Sequence, residues 1–192
     1  MKKNTIILVL VSLGSLLAGV SLFNLFTPGS EIVVNETQST VEKTPAEISL
    51  EAIPLTDLDG NQKLIGNWQQ PILVINFWAP WCAPCRDEIP ALIALQNEFQ
   101  GQVQVIGLAL DSEENVRSFE SEYGMNYPSF LAGNKIAMYN SVFTNKSGSL
   151  PFTVIINQQR KIHYSHTGKI TLDQLRERLT PLLAKLAGAS SS

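Results

Sequence analysis

The stretch that decides the fold is Asn76-Phe77-Trp78-Ala79-Pro80-Trp81-Cys82-Ala83-Pro84-Cys85, which contains the only two cysteines of the 192-residue chain. It overlaps a nearly continuous apolar run, residues 72–78, of the kind found in a strand buried on both faces. Apolar residues at helical spacing follow as far as Phe99. A Cys-x-x-Cys pair between a buried strand and a helix is typical of a redox-active thiol pair.

The predicted helix over 84–99 places the two cysteines in different environments. A helix N-terminus presents unpaired N–H groups and about half a positive charge, which favours a thiolate over a thiol. Cys82 lies at or just before that terminus and is the predicted nucleophile. Cys85 lies one turn further in, so we predict that it attacks Cys82 in a mixed disulfide and releases the reduced partner. Pro84 fits the first helical turn, where no N–H bond is lost.

Outside this motif, alternating strand and helix patterns predict one α/β domain over 48–188 with a sheet of mixed direction. A turn signal, Asp57-Leu58-Asp59-Gly60-Asn61, predicts a hairpin within 54–64. The remaining predicted strands cover 103–110, 152–156 and 161–167.

Two further helices are predicted from their start and stop signals. Ser112 can cap a helix that runs through Tyr123 and ends at Gly124. Thr171 opens the last helix, where Gln174 completes a capping-box pattern. Pro181 is expected to kink or split this last helix.

One carboxylate falls on the apolar side of the helix predicted over 84–99. On a helical wheel, Glu88 lies inside the stripe formed by Cys85, Ile89, Leu92, Leu95 and Phe99. Burying a carboxylate costs free energy unless it is paired or protonated. Two interpretations stay open: Glu88 handles protons near Cys85, or its side chain reaches solvent at the helix start.

Two tryptophans flank the cysteine pair. We expect Trp78, at the end of the buried strand, to pack in the core. Trp81 directly precedes the nucleophile and either offers an apolar platform to a partner or simply packs against its neighbours.

The N-terminus has the pattern of a membrane segment. Residues 5–26 form an uncharged run of 22 residues, and such a run can cross a hydrocarbon core about 30 Å thick. Lys2 and Lys3 precede it and an acidic stretch follows, so the positive-inside rule places the N-terminus in the cytoplasm. We predict an anchor at 1–26, a flexible tether at 27–47 and a disordered tail at 189–192. The alternative is a cleaved signal peptide, for which the apolar run is long and the cleavage site poor.

Composition excludes several classes of function. A net charge of −3 argues against nucleic acid as a partner, because phosphate binding needs a concentrated basic face. A zinc site would need four ligands, and beyond the cysteines only His163 and His166 remain, at unsuitable spacing. We expect both histidines to be ordinary strand residues, and no metal or cofactor is required.

The segment NFWAPWCAPCRDEIPAL, residues 76–92, resembles the active-site segment of the thioredoxin superfamily. More narrowly, it is similar to the TlpA/ResA/CcmG group of membrane-anchored bacterial thiol–disulfide oxidoreductases, and the resemblance spans roughly 48–187. It implies a thioredoxin-like fold whose central mixed sheet of about four to five strands is flanked by helices, with an insertion before the final hairpin. Thioredoxins carry a buried Asp where this chain has Asn76, so any carboxylate that serves Cys85 should be Glu88.

The resemblance also implies a partner-binding surface and a biological setting. It predicts a cis Leu150–Pro151 peptide bond facing the cysteines, with the Leu150 backbone pairing an extended substrate segment. It implies a reductase of disulfides in exported proteins, apocytochrome c among them, on the periplasmic side of the bacterial inner membrane. A membrane-embedded thiol reductant of the CcdA/DsbD kind would regenerate it. Two alternatives remain: an oxidase or isomerase that runs the same chemistry in reverse, and a tethered copper chaperone.

Overall fold

The computed structural model describes residues 49–189 of the chain. The predicted anchor at 1–26, the tether at 27–47 and the last residues of the tail, 190–192, lie outside the described residues. Between residues 49 and 189, no helix is both long and apolar enough to cross a bilayer.

Seven strands make up the sheet of the described part of the chain. Their bounds are β1 Pro54–Asp57, β2 Gln62–Leu64, β3 Ile72–Trp78, β4 Val103–Ala109, β5 Ser129–Leu131, β6 Phe152–Ile156 and β7 Ile162–Thr167. Their spatial order is β2-β1-β5-β4-β3-β6-β7. The pairs β3–β4 and β4–β5 are parallel and the other neighbours are antiparallel, so the sheet is mixed, as predicted.

The predicted hairpin and the other predicted strands are confirmed, but the sheet is wider than the resemblance implies. The difference comes from β5, a strand of three residues that joins the β1–β2 hairpin to the edge of β4. A three-residue strand is too short to show an alternating pattern, so sequence reasoning did not find it. It lies in the segment between the cysteines and Pro151 where the insertion is expected.

Helices cover both faces of the sheet. Their bounds are α1 Ala83–Glu98, α2 Glu113–Tyr123, α3 Ile136–Val142 and α4 Leu172–Ala189. The predicted caps of α2 are present: the Ser112 hydroxyl accepts from the Asn115 N–H at 3.4 Å, and Gly124 adopts φ +60°. At the start of α4, Thr171 and Gln174 bond each other's backbone N–H groups reciprocally, which confirms the predicted capping box.

Of the two outcomes predicted for Pro181, a kink or a split of the last helix, the split is wrong and the kink stays a prediction. α4 continues through Pro181 as one element of 18 residues. A proline removes one intrahelical hydrogen bond. The helix persists because its apolar stripe, including Leu175, Leu179 and Leu182, is buried against the sheet.

Strand β3 lies in the middle of the sheet, and its side chains pack alternately into the cores on the two faces of the sheet. Leu73, Ile75 and Phe77 pack on the face covered by α3. Val74 packs with α1 and α4 on the opposite face, and Trp78 packs there with α1 and α2. Every residue of β3 is buried, as the continuous apolar run predicts.

Candidate active site

The two cysteines lie at the junction between the central strand β3 and helix α1. Cys82 is the N-cap of α1, with φ −85° and ψ 103°. It is bonded to Cys85 in a disulfide, and the two Cα atoms are 5.3 Å apart. Cys82 keeps 6% of its surface exposed and Cys85 keeps 0%, so the difference in access predicted from the sequence is present.

The turn that holds Cys82 is built from local hydrogen bonds. The Cys82 N–H donates to the Ala79 carbonyl, and the Cys82 carbonyl accepts from the N–H groups of Cys85 and Arg86, each at 3.1 Å. Pro84 sits in the first turn of α1, where its missing N–H leaves no bond unmade. The helix therefore begins at the cysteine motif and directs its N-terminal end toward Cys82.

Glu88 lies one turn beyond Cys85 on the same side of α1 and is 1% exposed. This burial rules out the interpretation in which the side chain reaches solvent. Its Oε1 accepts from Asn76 Nδ2 at 2.7 Å, and its Oε2 accepts from the Ile170 N–H at 2.8 Å. Both carboxylate oxygens are thus held by donors from other elements of the fold.

The buried position of Glu88 changes its acidity. Burial raises the pKa of this carboxyl from 4.5 to about 7, although the Ile170 N–H, Asn76 and the nearby Lys169 cation each act in the opposite direction. A carboxyl with a pKa near neutrality exchanges protons readily at physiological pH. Glu88 therefore has the acidity that proton exchange with a neighbouring thiol requires.

Sequence reasoning identified Asn76 but missed its second partner, Thr153. The two residues are register partners on β3 and β6, and Asn76 Nδ2 also donates to Thr153 Oγ1 at 3.1 Å. Both are fully buried. Each is the one polar residue of an otherwise apolar strand, and that interruption is the signal from which Thr153 could have been found.

The Leu150–Pro151 peptide bond is cis, as the resemblance implies. Leu150 packs against the buried cluster that contains both cysteines and Trp78. β6 begins directly after Pro151, at Phe152, which is paired with Phe77 near the cysteine end of β3. The structure therefore brings the predicted partner-binding residues and the cysteine pair to one end of the sheet.

The two tryptophans differ as their positions suggest. Trp78 is fully buried and packs on Phe119, with ring centroids 4.9 Å apart. Trp81 is 66% exposed, which favours the platform interpretation over plain packing. Tyr123 stacks on Phe119 and accepts a hydrogen bond from Arg86, an arrangement that the sequence alone did not reveal.

Both histidines are residues of strand β7, as predicted. His163 is on the exposed side of β7, and His166 contacts the Tyr164 hydroxyl and the Lys169 carbonyl. Among residues 49–189, no group of three or more His, Cys, Asp or Glu side chains is arranged to hold a metal ion.

Known proteins are similar to this chain in sequence. A family model described as the AhpC/TSA family matches residues 46–165. Thioredoxin-like protein YneN of Bacillus subtilis is 30% identical over 171 residues, which cover 85% of this chain and 91% of that protein. Thiol-disulfide oxidoreductase ResA of Bacillus thuringiensis is 29% identical over 73% of this chain and 83% of its own length.

Solved structures of thioredoxin-related proteins have a similar fold. The crystal structure of a thioredoxin-related protein from Neisseria meningitidis serogroup B superposes with a TM-score of 0.61 at 26% identity. The match covers 68% of this chain and 98% of that protein. With its Cys-x-x-Cys pair at the β3–α1 junction, the chain belongs to the AhpC/TSA family and is a thioredoxin-like thiol–disulfide oxidoreductase.

Proposed function

We propose that this protein reduces disulfides in exported proteins on the extracytoplasmic side of the bacterial inner membrane. The observation that carries the proposal is the Cys82–Cys85 pair at the N-terminus of α1, with Glu88 buried one turn further along. Apocytochrome c is one candidate substrate, because the chain resembles the TlpA/ResA/CcmG group.

Cys82 and Cys85 supply the two electrons of the reaction. In the reduced protein, the Cys82 thiolate attacks one sulfur of the partner disulfide, and the partner's other sulfur leaves as a thiolate. Cys85 then attacks the Cys82 sulfur in the mixed disulfide. The partner leaves with both sulfurs reduced, and the Cys82–Cys85 disulfide forms.

Glu88 serves this second step as the proton acceptor for Cys85. Cys85 is fully buried in the disulfide form. If it stays buried in the dithiol form, its thiol needs a nearby base before it can attack. Glu88 is three residues away on the same helix face, and its raised pKa lets it accept and release a proton near neutral pH. The proton moves from the Cys85 sulfur to the Glu88 carboxylate.

The partner docks at the same end of the sheet. Exposed Trp81 provides the apolar platform beside Cys82, and the Leu150 backbone pairs with an extended segment of the partner. Pro151 supplies no N–H of its own to compete for that segment. A membrane-embedded thiol reductant of the CcdA/DsbD kind returns the pair to the dithiol form.

Trapping the mixed disulfide tests this assignment. The Cys85→Ser variant of the full-length chain should accumulate mixed disulfides through Cys82 when it is incubated with oxidised insulin. Mass spectrometry of the trapped species identifies the bonded cysteine. Because Cys82 is the more exposed thiol, limiting iodoacetamide should also label it first in the reduced protein.

The matched control is Cys82→Ser, which keeps the buried thiol and should trap almost nothing. Preferential labelling of Cys85, or trapping through Cys85, contradicts the proposed roles. Slow insulin reduction together with stoichiometric copper binding would instead support a copper chaperone. The reduction potential measured against glutathione separates a reductase from an oxidase or isomerase, because about 30 mV changes the balance by about 1.4 kcal/mol.

A further inference from the structure

Four residues, 168–171, connect β7 to α4. The first three of them, the 168–170 loop, donate hydrogen bonds to two parts of the site. The Gly168 N–H donates to the Pro151 carbonyl at 2.9 Å. Two residues later, the Ile170 N–H donates to Glu88 Oε2 at 2.8 Å. The loop therefore joins the backbone of the partner-binding proline to the buried carboxylate.

Contacts on every side hold the 168–170 loop in place. Gly168 has φ +95°, a conformation that residues with a side chain rarely adopt. The Lys169 ammonium lies 3.8 Å from the carboxylate of Asp87, and the Lys169 carbonyl contacts the His166 ring at 3.2 Å. The Ile170 side chain is 1% exposed and packs in the core with α1 and α4.

We propose that the 168–170 loop is a positioning element through which partner binding at Pro151 controls the proton affinity of Glu88. This inference rests on the proposed function and adds the control of its proton step. The loop is short and is hydrogen-bonded at both ends, through Gly168 and through Ile170. A displacement of Gly168 therefore also displaces Ile170.

The direction of the effect follows from what the Ile170 N–H stabilises. An N–H donor favours the ionised carboxylate. When a partner segment pairs beside Pro151 and draws its backbone outward, the bond at Gly168 and then the bond at Ile170 lengthen. Glu88 then holds a proton more tightly, and it draws that proton from Cys85. The resolving thiolate therefore forms when the partner is in place.

Few other ionisable groups act on Glu88. Lys169 faces it from the loop, and Cys85 precedes it on α1. Tyr127, ahead of β5, is a buried phenol whose own pKa is raised by burial and by Glu88. The His166 ring contacts the Lys169 carbonyl on this loop. Asp87 is exposed and lies beside Lys169. A moving loop would therefore change two interactions of Glu88, the backbone bond from Ile170 and the attraction of the Lys169 cation.

The test compares two oxidised substrates and two matched glycine variants of the full-length chain. Insulin offers a polypeptide segment to Pro151, whereas hydroxyethyl disulfide has no peptide backbone to pair there. Gly168→Ala strains the loop, and Gly60→Ala imposes the same kind of strain in the β1–β2 turn, where φ is +84°. An added Cβ meets nothing within 4 Å at either site, so the two variants differ in place rather than in crowding.

The readout is the pH dependence of the reduction rate. In the native protein and in Gly60→Ala, the midpoint with insulin should lie at higher pH than the midpoint with hydroxyethyl disulfide. In Gly168→Ala the two midpoints should coincide. Equal midpoints in the native protein, or an unchanged difference in Gly168→Ala, would overturn the coupling. Failure of the native protein to reduce either substrate would instead overturn the proposed function.

A second variant keeps the test decisive if Gly168→Ala does not fold. Lys169→Gln leaves the loop backbone intact and removes the cation that lies near Glu88 and Asp87. Both midpoints should move to higher pH, because the ionised carboxylate loses a favourable charge. Lys161→Gln, on an exposed residue before β7, is the control and should leave both midpoints in place. Unchanged midpoints in Lys169→Gln would remove the loop from the control of Glu88.

Discussion

The burial of Glu88 costs folding free energy when the carboxyl is charged, and it also gives the site a group that can exchange protons near neutral pH. It is ionisable and buried, yet both of its oxygens accept short hydrogen bonds, from Asn76 and from the Ile170 N–H. Those bonds favour the charged form, while burial favours the protonated form by a larger margin. The outcome is a carboxyl that changes charge near neutral pH in the interior of the protein.

Stability should therefore depend on pH through Glu88. The folded-state pKa of about 7 lies above the ordinary value of 4.5, so the folded protein binds this proton more tightly than the unfolded chain does. The resulting stabilisation is complete below about pH 4.5 and is lost as pH rises through about 7. Between about pH 5 and pH 8, the oxidised native protein should lose about 2.5 kcal/mol of unfolding free energy that Glu88→Gln retains.

Urea unfolding of the oxidised full-length protein at the two pH values measures this difference. The comparison is made within each variant, so any fixed cost of placing an amide at position 88 cancels. The disulfide-bonded cysteines do not titrate and add no pH dependence of their own. If both proteins lose the same free energy between the two pH values, Glu88 is not the buried titrating group.

At the scale of an element, β4 approaches its neighbours closely at Gly107. Gly107 is the register partner of Asn76 on one side and of Ser129 on the other. A Cβ built on Gly107 would lie 2.8 Å from both the Ser129 hydroxyl oxygen and Trp78 Nε1. Only glycine lets these two polar atoms lie over the strand beneath α1 and α2.

Gly107→Ala should therefore destabilise the fold, because the added methyl group would overlap two buried atoms, which must shift within a packed core. We expect a loss of about 1–3 kcal/mol in unfolding free energy, measured by urea denaturation. Gly188→Ala is the matched control: its Cβ would meet nothing within 4 Å near the end of α4. It should be neutral or stabilising by up to about 1 kcal/mol, since alanine favours helices. A neutral Gly107→Ala would show that the indole and the hydroxyl can move aside.

At the scale of the whole molecule, the distribution of charge predicts where the catalytic domain resides. Lys2 and Lys3 precede the uncharged run at 5–26, and acidic residues follow it. The domain should therefore face the extracytoplasmic side. Protease added to intact spheroplasts should digest it, with detection by an antibody against residues 49–189. A cytoplasmic marker protein must survive the same treatment, and full protection of the domain until detergent lysis would contradict the predicted orientation.

Some elements of the fold could be predicted from the sequence and others could not. The strand at 72–78, the helix that follows it and the caps at Ser112 and Thr171 were predictable, because each signal lies within a few neighbouring residues. β5 and α3 were missed because they are short and carry no clear period. The continuity of α4 through Pro181 depends on burial against the sheet, which local propensity does not include.

The sequence by itself determined the chemistry: a Cys-x-x-Cys pair at a strand–helix junction, and a glutamate on the buried stripe of the same helix. Those features are local, because the spacing of a few residues sets which of them share a helix face. Only the tertiary structure decided what Glu88 meets. Its contacts come from Asn76 on β3 and from Ile170, which is 82 residues away along the chain. Their proximity is a consequence of sheet order and loop placement, which depend on packing across the whole chain rather than on any single segment.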